Sequence, residues 1–401
     1  MPPCPFLYQR PTPLHGLLSR LFFIPTLVLS PLLVPLRIIL LLIAVPVFSV
    51  AFFFVNLGTD LTRPLPPRRD AACQALFRAF GLYISVILGC VYTVKNRDLR
   101  HHPDAPVVVS NHCSNIDGIV FSFLCFGHPI GKEGVISNWF ARQIFLAARV
   151  ILVKRPASRE VREALGHVTS PSASEAEIAA VKLDDLVQQH NNPLTIAKVA
   201  NYQKILAMRK RYGIGSVSQS MWERAHHREQ GWHQLVIFPE GTITNGKILA
   251  RFRTGAFRLQ VPVQPVTLEY RSVFPIGWLT DNIIVNTFKI LANPITLITV
   301  TFHKPLAQLP DETAQDFADR VGMYMADALH GVYTHYTNDD MLFLFGYKDL
   351  DVCTQDWLDD YGWIGRISGF RGSCWRRFWG HTQAEIDAAH RRFLRDQKRQ
   401  S

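Results

Sequence analysis

The chain is 401 residues long, with 48% hydrophobic residues and a net charge of +11. That length holds one large domain or two small ones, and the basic excess suits an anionic partner: a membrane surface, a nucleic acid or a polyanionic cofactor. The seven cysteines are scattered and form no CxxC pair, which excludes a disulfide framework and a zinc site and points to a reducing compartment.

In chain order, the first feature is the apolar run from Leu21 to Leu57, broken by a single charge, Arg37. Ile38 to Leu57 carries no charge and, at about twenty residues, is long enough to cross a bilayer. Pro25, Pro31 and Pro35 interrupt the first half and Pro46 the second. Prolines at that density argue against a straight spanning helix. No small-residue cleavage site follows, so a signal peptide is disfavoured. Residues 1–62 are expected to be a membrane anchor, either one span or a bent hairpin, with a buried helix pair as the alternative. Arg63, Arg68, Arg69, Arg78, Lys95 and Arg97 follow it, which by the positive-inside tendency places that side in the cytosol. Residues 63–100 read as a Pro-rich linker and an interfacial helix over Ala71 onward, leading into a strand near Cys90 to Val94; a second span is the alternative.

Beyond residue 100, short apolar runs alternate with helix-compatible stretches. Val107–Val109, Val150–Val153, Leu235–Phe238, Val263–Leu268 and Leu297–Phe302 are strand candidates. Ile116–Phe126, Trp139–Ala148, Lys198–Arg211 and Ala314–His330 have helical period and length. The alternation predicts an α/β domain over 101–340, a mostly parallel central sheet flanked by helices. The polar stretch within about 156–230 reads as an insertion. Residues 341–401 form an aromatic and basic tail.

Two constellations carry chemistry. Asn111-His112-Cys113-Ser114-Asn115-Ile116-Asp117 sits where a buried strand gives way to a helix, a place where sites collect in α/β sheets. His112 and Asp117 are five apart, about 140° around a continuous helix. They meet only if His112 lies in the turn before the helix and Asp117 in its first turn. A carboxylate on one imidazole nitrogen fixes the tautomer and leaves the other as a general base, which an unactivated alcohol nucleophile requires. An ordinary helix N-cap is the structural alternative. Activation of Cys113 by its neighbour His112 is disfavoured, because adjacent residues in extended chain point to opposite faces. The second constellation is Phe238-Pro239-Glu240-Gly241-Thr242, again a buried strand entering a polar turn. There Gly241 permits close backbone approach to a ligand. A tight structural turn is the alternative.

Taken together, Asn-His-x4-Asp followed by Phe-Pro-Glu-Gly-Thr resembles the glycerolipid acyltransferase family. Pro239 to Asn245, Phe252-Arg253-Thr254-Gly255-Ala256-Phe257 and Val261-Pro262-Val263-Gln264-Pro265-Val266 are similar in particular to its lysophosphatidylcholine acyltransferase branch. The resemblance extends from the N-terminal anchor to about Asp340. It implies an acyl-CoA-dependent lysophospholipid acyltransferase. His112 is then the base on the lysolipid hydroxyl, Asp117 its orienting partner, and Glu240, Gly241 and Thr242 acceptor-binding residues. The family's Gly-x-x-Phe-x-x-Arg motif is matched best at Arg149 to Arg155. Arg155 is kept, with Lys154 beside it, as the phosphate clamp, but Arg149 and Leu152 replace the Gly and the Phe. The resemblance implies no permanently bound cofactor, acyl-CoA serving as co-substrate, and membrane lipids as partners. No Asp-x-Asp-x-Asp-Gly loop is present, so no metal is expected. Nothing beyond the positive charge supports nucleic-acid binding.

Glycerol-3-phosphate or lysophosphatidic acid as acceptor, a CoA-independent transacylase, and a non-catalytic membrane lipid-binding protein are the rival readings. In the tail, Trp357, Trp363, Trp375 and Trp379 lie among Arg366, Arg371, Arg376 and Arg377. That mixture suits a membrane interface and equally a subdomain that packs its tryptophans. Lys398-Arg399 near the end resembles a retrieval signal of the endoplasmic reticulum. Head group, acyl chain and oligomeric state are not legible.

Overall fold

A computed structural model describes residues 13–154, 161, 164–165, 178–179, 181, 192–213, 215–277, 283–344, 353–361, 387–392 and 394–395. Contacts divide the chain into two compact units. Unit 1 comprises Met1–Ala44, Phe77–Phe126 and Val236–Ser401; unit 2 comprises Val45–Leu76 and Gly127–Leu235. These bounds differ from segments cut at residues 62, 100 and 340, because the anchor and the interfacial helix each contribute to both units.

The helices are α1 (Pro13–Asn56), α2 (Pro67–Leu88), α3 (Asp117–Leu124), α4 (Trp139–Ala147), α5 (Pro193–Arg211), α6 (Val217–His226), α7 (Ile283–Ala292), α8 (Ala314–Ala328), α9 (Asn338–Leu344) and α10 (Gln355–Tyr361). The strands are β1 (Cys90–Lys95), β2 (Val107–Ser110), β3 (His128–Lys132), β4 (Ile151–Val153), β5 (Leu235–Ile237), β6 (Ile248–Leu249), β7 (Val263–Ser272), β8 (Thr296–Phe302) and β9 (Val332–Tyr333).

The sheet of unit 1 runs β1-β8-β7-β2-β5. β1 pairs with β8 and β2 with β7 in parallel, and β7 with β8 antiparallel. In unit 2, β3 and β4 are parallel. The anticipated mostly parallel sheet flanked by helices is present. All four positions of β2 are buried, as a strand covered on both faces requires. β3 escaped the sequence pattern because Pro129 and Gly131 lie inside it, and β6 and β9 because each has only two residues. The helix over Ala314 is sharply started: Thr313 accepts from the Asp316 N–H and the Asp316 carboxylate accepts from the Thr313 N–H, a capping box. The described part of the insertion is helical, in α5 and α6, and Glu133 accepts from Arg209 Nε at 2.6 Å in a buried ion pair.

For the anchor, expected as one span or a bent hairpin, the structure has one continuous helix, α1. It is a single helix of 44 residues, about 66 Å long, with Pro25, Pro31, Pro35 and Pro46 inside it. The defect at Pro31 is repaired locally: the Ser30 hydroxyl donates to the Leu27 carbonyl at 2.8 Å, the acceptor that Pro31 has no N–H to serve. α1 and α2 are both long and apolar enough to cross a membrane by length and composition.

Arg37, the one charge in the apolar run of α1 from Leu21 onward, is buried. Its Nη1 donates to the carbonyls of Leu291 at 2.7 Å and Asn293 at 2.5 Å, and its Nη2 to that of Pro294 at 3.1 Å. A guanidinium is thereby satisfied by the carbonyl end of α7, where the helix dipole favours a cation. Gly89 closes the same node. Its φ is +69°, and a Cβ there would lie 2.1 Å from the Pro294 carbonyl oxygen. We expect Gly89→Ala to cost about 2–4 kcal/mol, from the left-handed backbone plus forced repacking. Thermal unfolding in detergent micelles checks this, and an unchanged midpoint would refute the close approach.

In the tail, Trp357 is fully buried and stacks on Tyr361 at 4.8 Å. That tryptophan is a packing residue. Trp363, Trp375, Trp379, the four tail arginines and Lys398-Arg399 lie outside the described residues.

Candidate active site

The site lies in unit 1, where β2 and β5 end side by side. As β2 stops, Asn111 extends its pairing with a side chain: its Nδ2 donates to the Leu268 carbonyl at 2.9 Å and its Oδ1 accepts from the Leu268 N–H at 2.8 Å. The backbone is thereby free to turn away, which brings His112 to the sheet's edge. α3 begins five residues later with Asp117.

Asp117 is fully buried and gathers four donors. Its Oδ2 accepts from the Cys113 N–H at 2.7 Å, the Ser114 N–H at 3.0 Å and His112 Nδ1 at 2.7 Å. Its Oδ1 accepts from the Tyr270 hydroxyl at 2.5 Å. A carboxylate only accepts, so Nδ1 of His112 carries the proton and Nε2 keeps its lone pair. Nε2 makes no hydrogen bond among the described residues, and the imidazole remains partly open to solvent. The ring is held flat by Phe238, whose centroid lies 4.3 Å away with the planes 21° apart. The pair meets by the route its spacing requires, with the histidine in the turn and the aspartate in the first helical turn.

The second motif holds the backbone of the first. Glu240, fully buried, accepts from the His112 N–H at 2.8 Å through Oε1 and from the Ala250 N–H at 2.9 Å through Oε2. The Thr244 N–H donates to the His112 carbonyl at 2.8 Å. Both main-chain polar groups of His112 are therefore tied to the Glu-Gly-Thr turn. Burial pushes Glu240 up to about 8, against the opposing pull of the two N–H donors.

Gly241 has φ +67°, and the Arg253 side chain crosses it so closely that a Cβ would lie 2.8 Å from Arg253 Nε. The Arg253 N–H donates to the Pro239 carbonyl at 2.8 Å, fixing the arginine to the same turn. Nearby cations are neutralised, Lys247 by Glu269 at 2.9 Å and Arg251 by Asp319 at 3.4 Å. Arg253 is exposed and has no carboxylate partner among the described residues. The Thr242 hydroxyl turns to Met341 Sδ at 2.9 Å. Burial pushes the Cys113 thiol well above its ordinary range, so it stays protonated and is no nucleophile.

Sequence reading named five residues that unit 1 brings to one place: His112, Asp117, Glu240, Gly241 and Thr242. Lys154, just after β4 in unit 2, is exposed, and Arg155 lies outside the described residues. Tyr270, Phe238 and Arg253 were not singled out as site residues. Phe238 and Arg253 stood inside quoted motifs, but Tyr270 offered no local signal. Burial beside Asp117 pushes the Tyr270 phenol well above its ordinary value and keeps it a donor. We expect Tyr270→Phe to keep the fold and lower the turnover of the site about tenfold, the worth of about one charge-assisted hydrogen bond. Steady-state kinetics beside a thermal melt separates the two effects.

The acyltransferase family model matches residues 91–269, a span that holds His112, Asp117 and the Glu-Gly-Thr turn. Residues 91–269 thus match an acyltransferase domain. Part of the chain is similar to lysophospholipid acyltransferases. It is 35% identical over 111 residues to the lysophospholipid acyltransferase LPCAT4 of Xenopus tropicalis, covering 24% of this chain and 20% of that one. It is 33% identical over 144 residues to lysophosphatidylcholine acyltransferase 2 of Rattus norvegicus, covering 34% and 26%. Lysophosphatidylcholine acyltransferase 2B of Mus musculus matches at 29% over 216 residues, covering 50% and 41%. The chain thus spans between a fifth and two-fifths of the length of these relatives. The two long apolar helices, together with these relatives, suggest a membrane-associated protein.

Proposed function

We propose that this acyltransferase moves a fatty-acyl group from coenzyme A to the free hydroxyl of a lysophospholipid. The observation that carries the proposal is the His112–Asp117 pair with its open Nε2, seated inside an acyltransferase domain. Nε2 takes the hydroxyl proton as the alcohol oxygen attacks the thioester carbonyl. A tetrahedral intermediate forms, the carbon–sulfur bond breaks, and the leaving thiolate recovers the proton from the imidazolium. Asp117 stabilises that imidazolium and holds its ring, with Tyr270 holding Asp117. The thioester is already activated, so no acyl-enzyme is needed, and no bound cofactor takes part.

Arg253 is well placed to hold the acceptor phosphate, because it is an exposed cation on the turn that positions the base. Glu240, Gly241 and Thr242 shape the acceptor side of the site, and the phosphate role of Lys154 and Arg155 rests on the resemblance alone. Endoplasmic reticulum membranes with the catalytic unit facing the cytosol are the proposed location, from the basic residues that follow the anchor.

The test is acyl transfer from labelled acyl-CoA in membranes, over a panel of lysophospholipids with glycerol-3-phosphate and lysophosphatidic acid beside them. Turnover of a lysophospholipid carrying a head group supports the reading. Activity confined to glycerol-3-phosphate or lysophosphatidic acid moves the chain to the rival acceptors, and transfer without acyl-CoA makes it a transacylase. We expect Arg253→Ala to raise the KM for the acceptor by about tenfold to a hundredfold, the worth of a charge-assisted phosphate contact of about 1.5–3 kcal/mol, with the KM for acyl-CoA unchanged and partial recovery in Arg253→Lys. Equal changes in both KM values would remove Arg253 from the acceptor side.

A further inference from the structure

We propose that the β1 edge of unit 1, together with the α7–β8 turn, is immersed in the acyl layer of a phospholipid leaflet alongside α1. The proposal rests on reading α1 as bilayer-embedded and adds a second, non-helical surface to that contact.

Arg37 sets the depth. It lies near the middle of the apolar part of α1, and its guanidinium ends on the carbonyls of Leu291, Asn293 and Pro294. Whatever depth Arg37 occupies in lipid, the α7–β8 turn occupies too. α1 is fastened to unit 1 along one seam. Thr26, Ser30, Arg37 and Ala44 are buried at helical spacing, and Phe23 meets Phe274 edge-to-face at 5.7 Å. An isolated charge in an apolar helix is costly in lipid, and here protein carbonyls rather than water satisfy it.

The surface around this node is apolar and open. Val86 and Val91 lie three and two residues from Gly89, and Ile295 and Leu297 one and three residues from Pro294. All four are exposed, between 44% and 70%. Val91 and Leu297 are register partners, so their side chains share one face of the sheet, and β1 is its edge strand. At the far end of α7, Ile283 and Ile284 are also exposed. No acidic residue occurs from 71 to 97 or from 283 to 302.

The same face of β1 grades from apolar to cationic. Val91, Thr93 and Lys95 are its exposed positions, so the charge stands about 13 Å from the valine. That separation matches a strand whose lower end lies among acyl chains and whose upper end meets phosphates. Arg271, paired with Leu297 from the β7 side, marks the lateral limit of the apolar patch. A protein partner would want a polar rim around such a patch; here the patch runs into α1, already covered with exposed leucine, isoleucine and valine.

The experiment places a photoreactive benzoylphenylalanine at Ile284, Ile295 or Leu297 of the full chain, in phosphatidylcholine vesicles carrying a labelled lipid. Val28, exposed on α1, is the control for the anchor, and Leu309, an exposed apolar residue of unit 1 away from the node, the control for chance exposure. The proposal predicts lipid adducts at all three test positions at the level of Val28, and none above background at Leu309. Adducts at Val28 alone overturn it while leaving the anchor intact. Absence of adducts at every position overturns both, and equal labelling at Leu309 overturns the claim of a defined edge. Lipid labelling does not depend on turnover, so a silent activity assay leaves this result standing.

Discussion

His112→Ala is expected to lower acyl transfer by about 10²- to 10⁴-fold, the range that a positioned general base supplies. The loss should fall on kcat with little change in acceptor KM, because the imidazole acts on the proton and not on the phosphate or acyl chain. The variant should also fold. The His112 N–H and carbonyl are held by Glu240 and Thr244 through the main chain, and alanine keeps both bonds. A melt within experimental error of the wild type, beside a lost initial rate with labelled acyl-CoA, is the predicted pair of results. Full activity in the variant would remove His112 as the base and with it the proposed mechanism.

Glu240→Ala should damage both fold and activity. It strips the acceptor from two buried N–H groups, those of His112 and Ala250, and leaves a void. Each orphaned donor costs about 1–3 kcal/mol, so a total loss of about 3–5 kcal/mol is expected. Activity should fall further than stability explains, because His112 loses its main-chain tether. Glu240→Gln keeps one acceptor and should be intermediate.

The glutamate also predicts a pH dependence. Burial raises Glu240 from its ordinary value near 4.5 to about 8. Between those values the folded chain holds a proton that the unfolded chain has released. Stability is therefore greatest below the lower value and falls as pH rises through the window. Thermal midpoints between pH 5 and 8 should decline in the wild type and flatten in Glu240→Gln, which cannot titrate. A wild-type midpoint that rises across that window would contradict the burial of this carboxyl.

The site was legible where its contacts are local. His112 and Asp117 are five residues apart, and helix geometry alone says how they can meet. The tie between His112 and Glu240 joins residues 128 apart, so only the co-occurrence of two motifs hinted at it. Tyr270 is the eighth residue of the ten-residue strand β7 with nothing in its neighbourhood to mark it, and its role comes from the pairing of β7 with β2. The fold class followed from alternating apolar runs. Sequence alone does not choose between one span and a bent hairpin for the anchor, because prolines ordinarily break a helix; in α1 the Ser30 hydroxyl supplies the donor that Pro31 lacks, and helical backbone continues on both sides. β3 was missed because proline and glycine, ordinarily strand breakers, lie within it.

The crossed ties at His112 bear on biosynthesis. A chain leaving the ribosome exposes Asn111 to Asp117 early, but the carboxylate and the amide that fix the histidine's main chain arrive only with Glu240 and Thr244, and Glu240 is itself steadied by Ala250. Until that later segment has emerged, the imidazole has its aspartate but no fixed position. Under the proposed function, catalytic competence therefore waits for the segment through Ala250, whereas α1, the proposed anchor, emerges long before it.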